Sequence, residues 1–344
     1  MRFKKYISRR NFLKNTTLTG LGIGLMPSFL YADQMPAIKG KRIGIIGLDT
    51  SHSLAFTKAI NTNPSDFDNY QVVAAYPFGS QTIKSASERI PKYTEDVQKY
   101  AVKIVASITE LLRQVDVVLL ETNDGRMHLS QALQVINAGK PLFIDKPIAA
   151  SLLDAAKIFS TAKQKNVPVF SSSSLRYMPG VQRVLSGAFG EVKGVSTYSP
   201  ATLEVTHPDL YWYGIHGVEM LFSVMGPNCK SVSQVSTEFT DVVTGIWDDG
   251  RIGTFTGLRT GKADFGGTCF CEKELVQLGP FTGYNPLLKE VIKFFSTGIA
   301  PVSALETMQI LAFMDAAEES KQQQAQLISL QSIYKKNGLD IDKL

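Results

Sequence analysis

The feature that most constrains this chain is an alternation running from Lys41 to about Val169. Short apolar runs at Arg42–Gly47, Gln71–Tyr76, Val102–Ala106, Asp116–Glu121, Pro141–Asp145 and Val167–Ser171 are separated by helix-like segments. Strands that are apolar throughout are buried on both faces, and intervening helices supply the crossovers of a parallel sheet. Gly139, just before Lys140-Pro141, sits where a helix C-cap belongs, and Ser151 can cap a helix starting at Leu152. After about residue 172 the texture changes. Glu191–Ser199, Lys230–Phe239, Asp241–Trp247, Arg251–Leu258 and Gly266–Leu278 read as strands with little between them, and Asp249-Gly250 is a hairpin signal. Helices are expected at Tyr177–Gly187, Tyr211–Met225, Leu287–Thr297 and Ser303–Ser320. The fold class is therefore α/β: a doubly wound parallel sheet over 41–150, then an α+β domain over 151–344 with an open, mainly antiparallel sheet. The last helices of the second domain can pack back on the first. A chain of 344 residues has enough material for two such cores without disulfides or a structural metal.

The net charge of +5 looks basic, but its location changes its meaning. Residues 1–32 hold Arg2, Lys4, Lys5, Arg9, Arg10 and Lys14 and no acid, leaving 30 basic and 31 acidic residues in the remainder. A near-neutral body has no electrostatic footprint for nucleic acid. Leu18–Leu30 is apolar but too short to span a bilayer, and it fits the h-region of an export signal with small residues near Ala32. Ser8-Arg9-Arg10-Asn11-Phe12-Leu13-Lys14 resembles a twin-arginine signal. Residues 1–32 are thus expected to direct the protein to the periplasm, with 33–40 as a linker and no membrane attachment after signal removal. The three cysteines, Cys229, Cys269 and Cys271, have no zinc-type spacing and read as small buried hydrophobes.

In a doubly wound sheet, ligands bind beyond the carboxyl ends of the strands. The first such loop, Gly47-Leu48-Asp49-Thr50-Ser51-His52, has the context of a dinucleotide fingerprint but carries Asp49 and His52 at the second and third glycine positions. A carboxylate at Asp49 would repel a pyrophosphate unless it turns away. Thr50, Ser51 and the free amides of the helix start can still hold a phosphate. Tyr76-Pro77-Phe78-Gly79-Ser80 has no acid for the ribose hydroxyls, and Ser80 and Lys84 lean slightly towards a 2′-phosphate. The loop Glu121-Thr122-Asn123-Asp124-Gly125-Arg126-Met127-His128 is polar and enters a helix, and Asp145-Lys146-Pro147 puts an ammonium at the crevice. A lysine there can act as an acid/base, or it can simply pair with Asp145 to fix a turn.

These segments, with Ala138-Gly139-Lys140-Pro141, Arg176-Tyr177-Met178-Pro179, Gly187-Ala188-Phe189-Gly190-Glu191-Val192 and His216…Glu219…Gly226, resemble the Gfo/Idh/MocA oxidoreductases over about residues 41–325. The resemblance implies a Rossmann domain, a substrate domain, NAD or NADP, and sugar or cyclitol substrates. It implies catalytic roles for Lys146, with Asp145 in place of the usual Glu, and for His216. It implies cofactor contacts from Gly47, Asp49, Thr50, Ser51, His52, Thr122, Asn123, His128, Lys146 and Arg176. Tyr211, Trp212 and Tyr213, with Lys146 and His216, are the candidate substrate contacts. Trp212 stands where many members carry an acid, which leaves the proton relay open. No metal site is expected, since His52, His128, His207 and His216 lack paired spacing.

Two functions follow as alternatives. One, favoured because Lys146 and His216 are retained, is an exported oxidoreductase that keeps its NAD(P) tightly bound because no nicotinamide pool surrounds it. The other is a carbohydrate-binding or scaffold protein that has lost the cofactor. The resemblance also implies a homo-oligomer.

Overall fold

A computed structural model describes residues 40–262 and 264–340. The twin-arginine segment and most of the linker lie outside the described residues. The strands of the first sheet are β1 (Arg42–Ile46), β2 (Gln71–Tyr76), β3 (Lys103–Ile104), β4 (Val117–Leu120), β5 (Leu142–Ile144) and β6 (Val169–Ser171). They form one parallel six-stranded sheet in the order β3-β2-β1-β4-β5-β6. Helices α1 (Ser51–Thr62), α2 (Lys84–Ser87), α3 (Ile90–Gln98), α4 (Ile108–Leu112), α5 (Gly125–Asn137) and α6 (Leu152–Lys165) occupy the crossovers.

The continuous apolar runs have a simple cause. Ile43 and Ile45 of β1, with Val117 and Leu119 of β4, enter one core, while Ile46, Val118 and Leu120 point into the other. With a side-chain period of two and helices on both faces, every position of β4, β5 and β6 is buried. The sheet does not stop at residue 150. Leu142 of β5 pairs with Val169 of β6, so the first domain runs to Ser171 and α6 belongs to it.

The second sheet has seven strands. These are β7 (Val192–Pro200), β8 (Cys229–Ser236), β9 (Thr240–Trp247), β10 (Ile252–Leu258), β11 (Gly266–Cys271), β12 (Leu275–Gln277) and β13 (Ile328–Ser329), in the order β12-β11-β7-β10-β9-β8-β13. All neighbours are antiparallel except β7 and β10. The expected strand at Gly266–Leu278 is two, because the chain turns at Glu272–Glu274 and pairs β11 with β12. The remaining helices are α7 (Pro179–Leu185), α8 (Ile215–Met225), α9 (Asn285–Thr297), α10 (Ala304–Gln322) and α11 (Leu330–Lys336).

Helices α8 and α10 cover one face of this sheet; its other face exposes Tyr198, Val242, Ile252 and Phe270. Helix α9 returns to the first domain. Its Leu287, Leu288, Val291, Phe294 and Phe295 share a core with Ile43, Phe56 and Phe143. Among the described residues no helix is long and apolar enough to cross a membrane. Cys229, Cys269 and Cys271 are free thiols, and burial pushes Cys229 up to about 12, as expected of an unreactive core thiol.

The segment leading into α8 is tied to α10 by Tyr211, whose hydroxyl donates to Asp315 Oδ1 at 2.7 Å. Burial pushes the Asp315 carboxyl up to about 6, although the Tyr211 hydroxyl works against that shift. The folded state therefore holds a proton that the unfolded state has already lost between about pH 4 and 6, so stability falls across that window as pH rises. Above it the loss is constant. Asp315→Asn keeps an acceptor for Tyr211 and removes the titration. It is expected to be more stable than the parent at pH 7 by on the order of 2 kcal/mol, with the gap closing near pH 4, as read by urea denaturation at both pH values.

Candidate active site

The loops at the carboxyl edge of the first sheet are tied together by one buried carboxylate. Gly47 leaves β1 with φ +90°, and a Cβ there would lie 2.5 Å from the Thr122 nitrogen, so the loops after β1 and β4 touch. Asp49 follows, fully buried, and accepts from the Ser80 amide at 2.7 Å and the Asn123 amide at 2.9 Å. A Cβ on Gly79 would strike its Oδ2, so that glycine is needed for the close approach. Burial raises the Asp49 carboxyl above its usual range, opposed by those two amides. Ser80 Oγ donates to Asp124 Oδ2 at 3.1 Å, joining the loops after β2 and β4 directly. Asp124 also caps α5.

Beside this knot lies a cleft of about 250 Å³. Thr50, Ser51, His52, Asn123 and Lys146 border it from the first domain, and Trp212, Tyr213 and His216 from the second. Tyr211 does not reach it: the residue is buried on Asp315. A single π-helical turn at Leu210–Gly214 precedes α8, with Trp212 and Tyr213 on the cleft side and Tyr211 on the core side.

His216 is held through its ring. Its Nδ1 is 2.8 Å from Ser173 Oγ. Burial, with Lys146 and His52 nearby, pushes the imidazole well below its usual range, so it is neutral at neutral pH. Three residues on, Glu219 pairs with Arg176 at 3.1 Å, and Arg176 also pairs with Glu306 of α10 at 2.7 Å. Ser173 caps one short 3-10 turn (Ser174–Tyr177) and Arg176 lies within it, so the turn grips α8 at two places. Arg176 is placed in this buried ion triad and does not border the cleft. His128 is buried too, bridging the Thr122 and Pro147 carbonyls at 2.6 and 3.0 Å and so fixing the approach to Lys146.

A second group of buried charge lies under the cleft. His52 Nδ1 is 2.9 Å from Asp145 Oδ2, and Lys146 Nζ is 3.7 Å from the same oxygen. Burial resists ionisation of Asp145, but His52 and Lys146 outweigh it and hold the carboxyl below the usual carboxylate range. Glu121, at the end of β4, is its opposite: burial, reinforced by Asp145 and only partly offset by Lys146, pushes it well above. Neither Glu121 oxygen has a hydrogen-bond partner.

Of the residues singled out in the sequence, the structure brings Thr50, Ser51, His52, Asn123, Lys146, Trp212, Tyr213 and His216 to one cleft. Gly47, Asp49, Thr122 and His128 build its floor, and Asp145 orients His52. Sequence reasoning did not find Ser85, Arg89, Phe265, Phe281 and Tyr284, which also border the cleft. They carry no motif and arrive from segments far apart in the chain. Glu121 was visible as part of a polar loop, but nothing in the sequence set it apart.

Residues 41–173 match the sequence pattern of the oxidoreductase family, NAD-binding Rossmann fold (Gfo/Idh/MocA). That stretch of the chain is thus similar in sequence to NAD-binding Rossmann domains, and its parallel six-stranded sheet has that fold. An uncharacterized oxidoreductase of Escherichia coli K12, YhhX, is 25% identical over 138 residues, covering 36% of this chain and 40% of that protein. The chain thus matches well under half the length of this curated relative. Among solved structures, a probable dehydrogenase from Thermotoga maritima superposes with a TM-score of 0.70 at 18% identity, over 85% of this chain and 99% of that one. The scyllo-inositol dehydrogenase of Lactobacillus casei, with NAD(H) and scyllo-inositol bound, gives 0.69 at 15% identity, over 85% and 100%. Both sheets are therefore shared with dehydrogenases of this fold.

The residues present fit a dinucleotide. Asp49 turns inward onto two amides, so no carboxylate projects from the loop after β1. The side chains bordering the cleft include Lys146 and Arg89 and no Asp or Glu, and α1 opens onto it with Thr50 and Ser51. Thr50, Ser51, Asn123, Lys146, Ser85 and Arg89 are the groups available to hold it.

If Asp49 is structural, Asp49→Ala should leave the Ser80 and Asn123 amides unpaired and cost about 2–4 kcal/mol. Urea denaturation at neutral pH measures this. An unchanged midpoint would show that the three loops hold together without it.

Proposed function

We propose that the protein is an exported NAD(P)-dependent oxidoreductase acting on a sugar, cyclitol or glycoside, and that it keeps its cofactor through turnover. The observation that carries this reading is that Lys146 and His216, from different domains, border one cleft together with Trp212 and Tyr213. Bound nicotinamide would supply the hydride acceptor. The ammonium of Lys146 would donate to the substrate oxygen as it becomes a carbonyl. The neutral His216 imidazole would take the hydroxyl proton, with Nδ1–H donating to Ser173 so that Nε2 is free as the base. Trp212 and Tyr213 present aromatic faces of the kind that stack on sugar rings, and no acid four residues before His216 is needed if the imidazole itself is the base.

Export through the twin-arginine route supports cofactor retention, since a folded, loaded protein would leave the cell interior where nicotinamide is exchanged. The sugar would then have to return the hydride within the same cycle, to the same or a second carbohydrate. The open sheet face, with Tyr198, Val242, Ile252 and Phe270 exposed, supports assembly of like copies. Light scattering should read more than one chain per particle, and Ile252→Lys should shift the protein towards monomer.

The test of the main reading starts from protein exported on its own signal and purified without nucleotide. Denaturation and mass spectrometry are expected to release close to one NAD or NADP per chain. Lys146→Ala and His216→Ala should each lower turnover by ~10²-fold or more on a responsive sugar. A second reading is favoured by one feature: the Asp49–Ser80–Asn123 knot and the Ser80–Asp124 bond already bridge the crevice. No released nucleotide, with no thermal shift on adding NAD(P), would replace the oxidoreductase by a cofactor-free carbohydrate-binding protein.

A further inference from the structure

Among the described residues, one group of histidine and carboxylate side chains is arranged to hold an ion: His52 from the start of α1, Glu121 from the end of β4 and Asp145 from the end of β5. Each offers one donor atom, and these atoms lie within 4.8 Å of one another. All three side chains are buried, at 7%, 0% and 1% exposure. The position follows from topology, because β4 and β5 are adjacent parallel strands and α1 begins at the same edge of the sheet.

The state of Glu121 points to an absent partner. An ionised carboxylate only accepts, and a buried one without donors costs on the order of several kcal/mol. Both Glu121 oxygens and Asp145 Oδ1 are buried and have no hydrogen-bond partner; His52 and Lys146 both lie against the other Asp145 oxygen, Oδ2. An ion that displaced a proton from Glu121 would give these orphaned oxygens a partner. The His52–Asp145 separation of 2.9 Å is that of a hydrogen bond and would have to open by a few tenths of an ångström around an ion. Two donors each about 2.1 Å from one ion lie about 3.0–3.4 Å apart, depending on the angle between them.

We propose that His52, Glu121 and Asp145 form a divalent transition-metal site beneath the cleft, with zinc as the best-suited ion. One imidazole nitrogen with two carboxylate oxygens is a borderline donor set, which disfavours calcium and magnesium, ions that take oxygen ligands throughout. Three protein ligands leave a fourth position open on a tetrahedral ion, the pattern of reactive rather than structural zinc. His52 borders the cleft beside Lys146. A ligand oxygen entering the cleft could therefore complete the coordination, giving the site a second means of polarising a hydroxyl or carbonyl. The ion would replace the hydrogen-bonding proton between His52 and Asp145.

The experiment is calorimetric titration of chelator-treated, full-length protein with Zn²⁺, Mn²⁺ and Mg²⁺, with a Co²⁺ absorption spectrum alongside. One Zn²⁺ per chain is expected at micromolar affinity or better, weaker Mn²⁺, no Mg²⁺, and visible Co²⁺ bands of low coordination number. Glu121→Gln keeps the shape and removes the charge, and should weaken Zn²⁺ at least 100-fold. His52→Gln, at the cleft rim, serves the same purpose if the buried variant fails to fold. His207→Gln, outside the group, should leave binding intact. No Zn²⁺ uptake by the folded parent, or uptake unchanged in both Glu121→Gln and His52→Gln, would overturn the site. These readouts do not depend on nucleotide content, so they stand or fall apart from the oxidoreductase reading.

Discussion

The Asp49 carboxylate holds together the edge of the sheet on which everything else is built. Parallel strands end in loops with unpaired amides, and those loops must converge if they are to form a site. Here a side chain does the joining: Asp49 takes the Ser80 and Asn123 amides, so the loops after β1, β2 and β4 become one body. Glycine is required on both sides of the contact, at Gly47 because of its positive φ and at Gly79 because a Cβ would collide with the carboxylate. The cost of burying that charge is offset by donors that would otherwise lack partners themselves. Thr50, Ser51, Asn123 and, through His128, the approach to Lys146 inherit their positions from this arrangement.

The buried charges divide into two kinds. Arg176 pairs with Glu219 and Glu306 together, and Tyr211 donates to Asp315; these contacts orient α8, and none of these residues borders the cleft. The group at His52, Glu121, Asp145 and Lys146 is different, because it keeps orphaned oxygens directly under the cleft. Incomplete satisfaction in a low-dielectric interior is costly, and it collects at sites where something else binds or reacts.

Much of this was legible in the chain, for physical reasons. Continuous apolar strands with helical spacers announce a parallel sheet, and closely spaced strands with the Asp249-Gly250 hairpin announce a mainly antiparallel one. Lys146 and His216 stand out because turn chemistry and motif context surround them. The first domain's end was harder to read. β6 is only three residues long and follows a helix that could belong to either domain. His52 and Asp145 belong to separate motifs, and their contact joins positions 93 residues apart and leaves no local trace. Asp49 raised the question of whether a carboxylate can sit at a glycine position. The answer depended on amides in two other loops, and backbone donors have no signature in a sequence.

The placement of the two candidate acid/base groups explains why the second domain matters to chemistry as well as to recognition. Lys146 lies in the loop just beyond β5 of the first sheet, whereas His216 rides on α8 above the second. Their relative position is thus set by whatever locks the two together. Two contacts do so. Helix α9 crosses back to pack Phe294 against Phe170 of β6, and the 3-10 turn that follows β6 carries Ser173 and Arg176 to α8. Since Ser173 and Arg176 hold positions three residues apart on α8, they fix its rotation as well as its distance. A helix free to turn by even a fraction of its 100° step would swing the imidazole out of the cleft, so the paired grip converts strand order in the first domain into the direction of a side chain in the second.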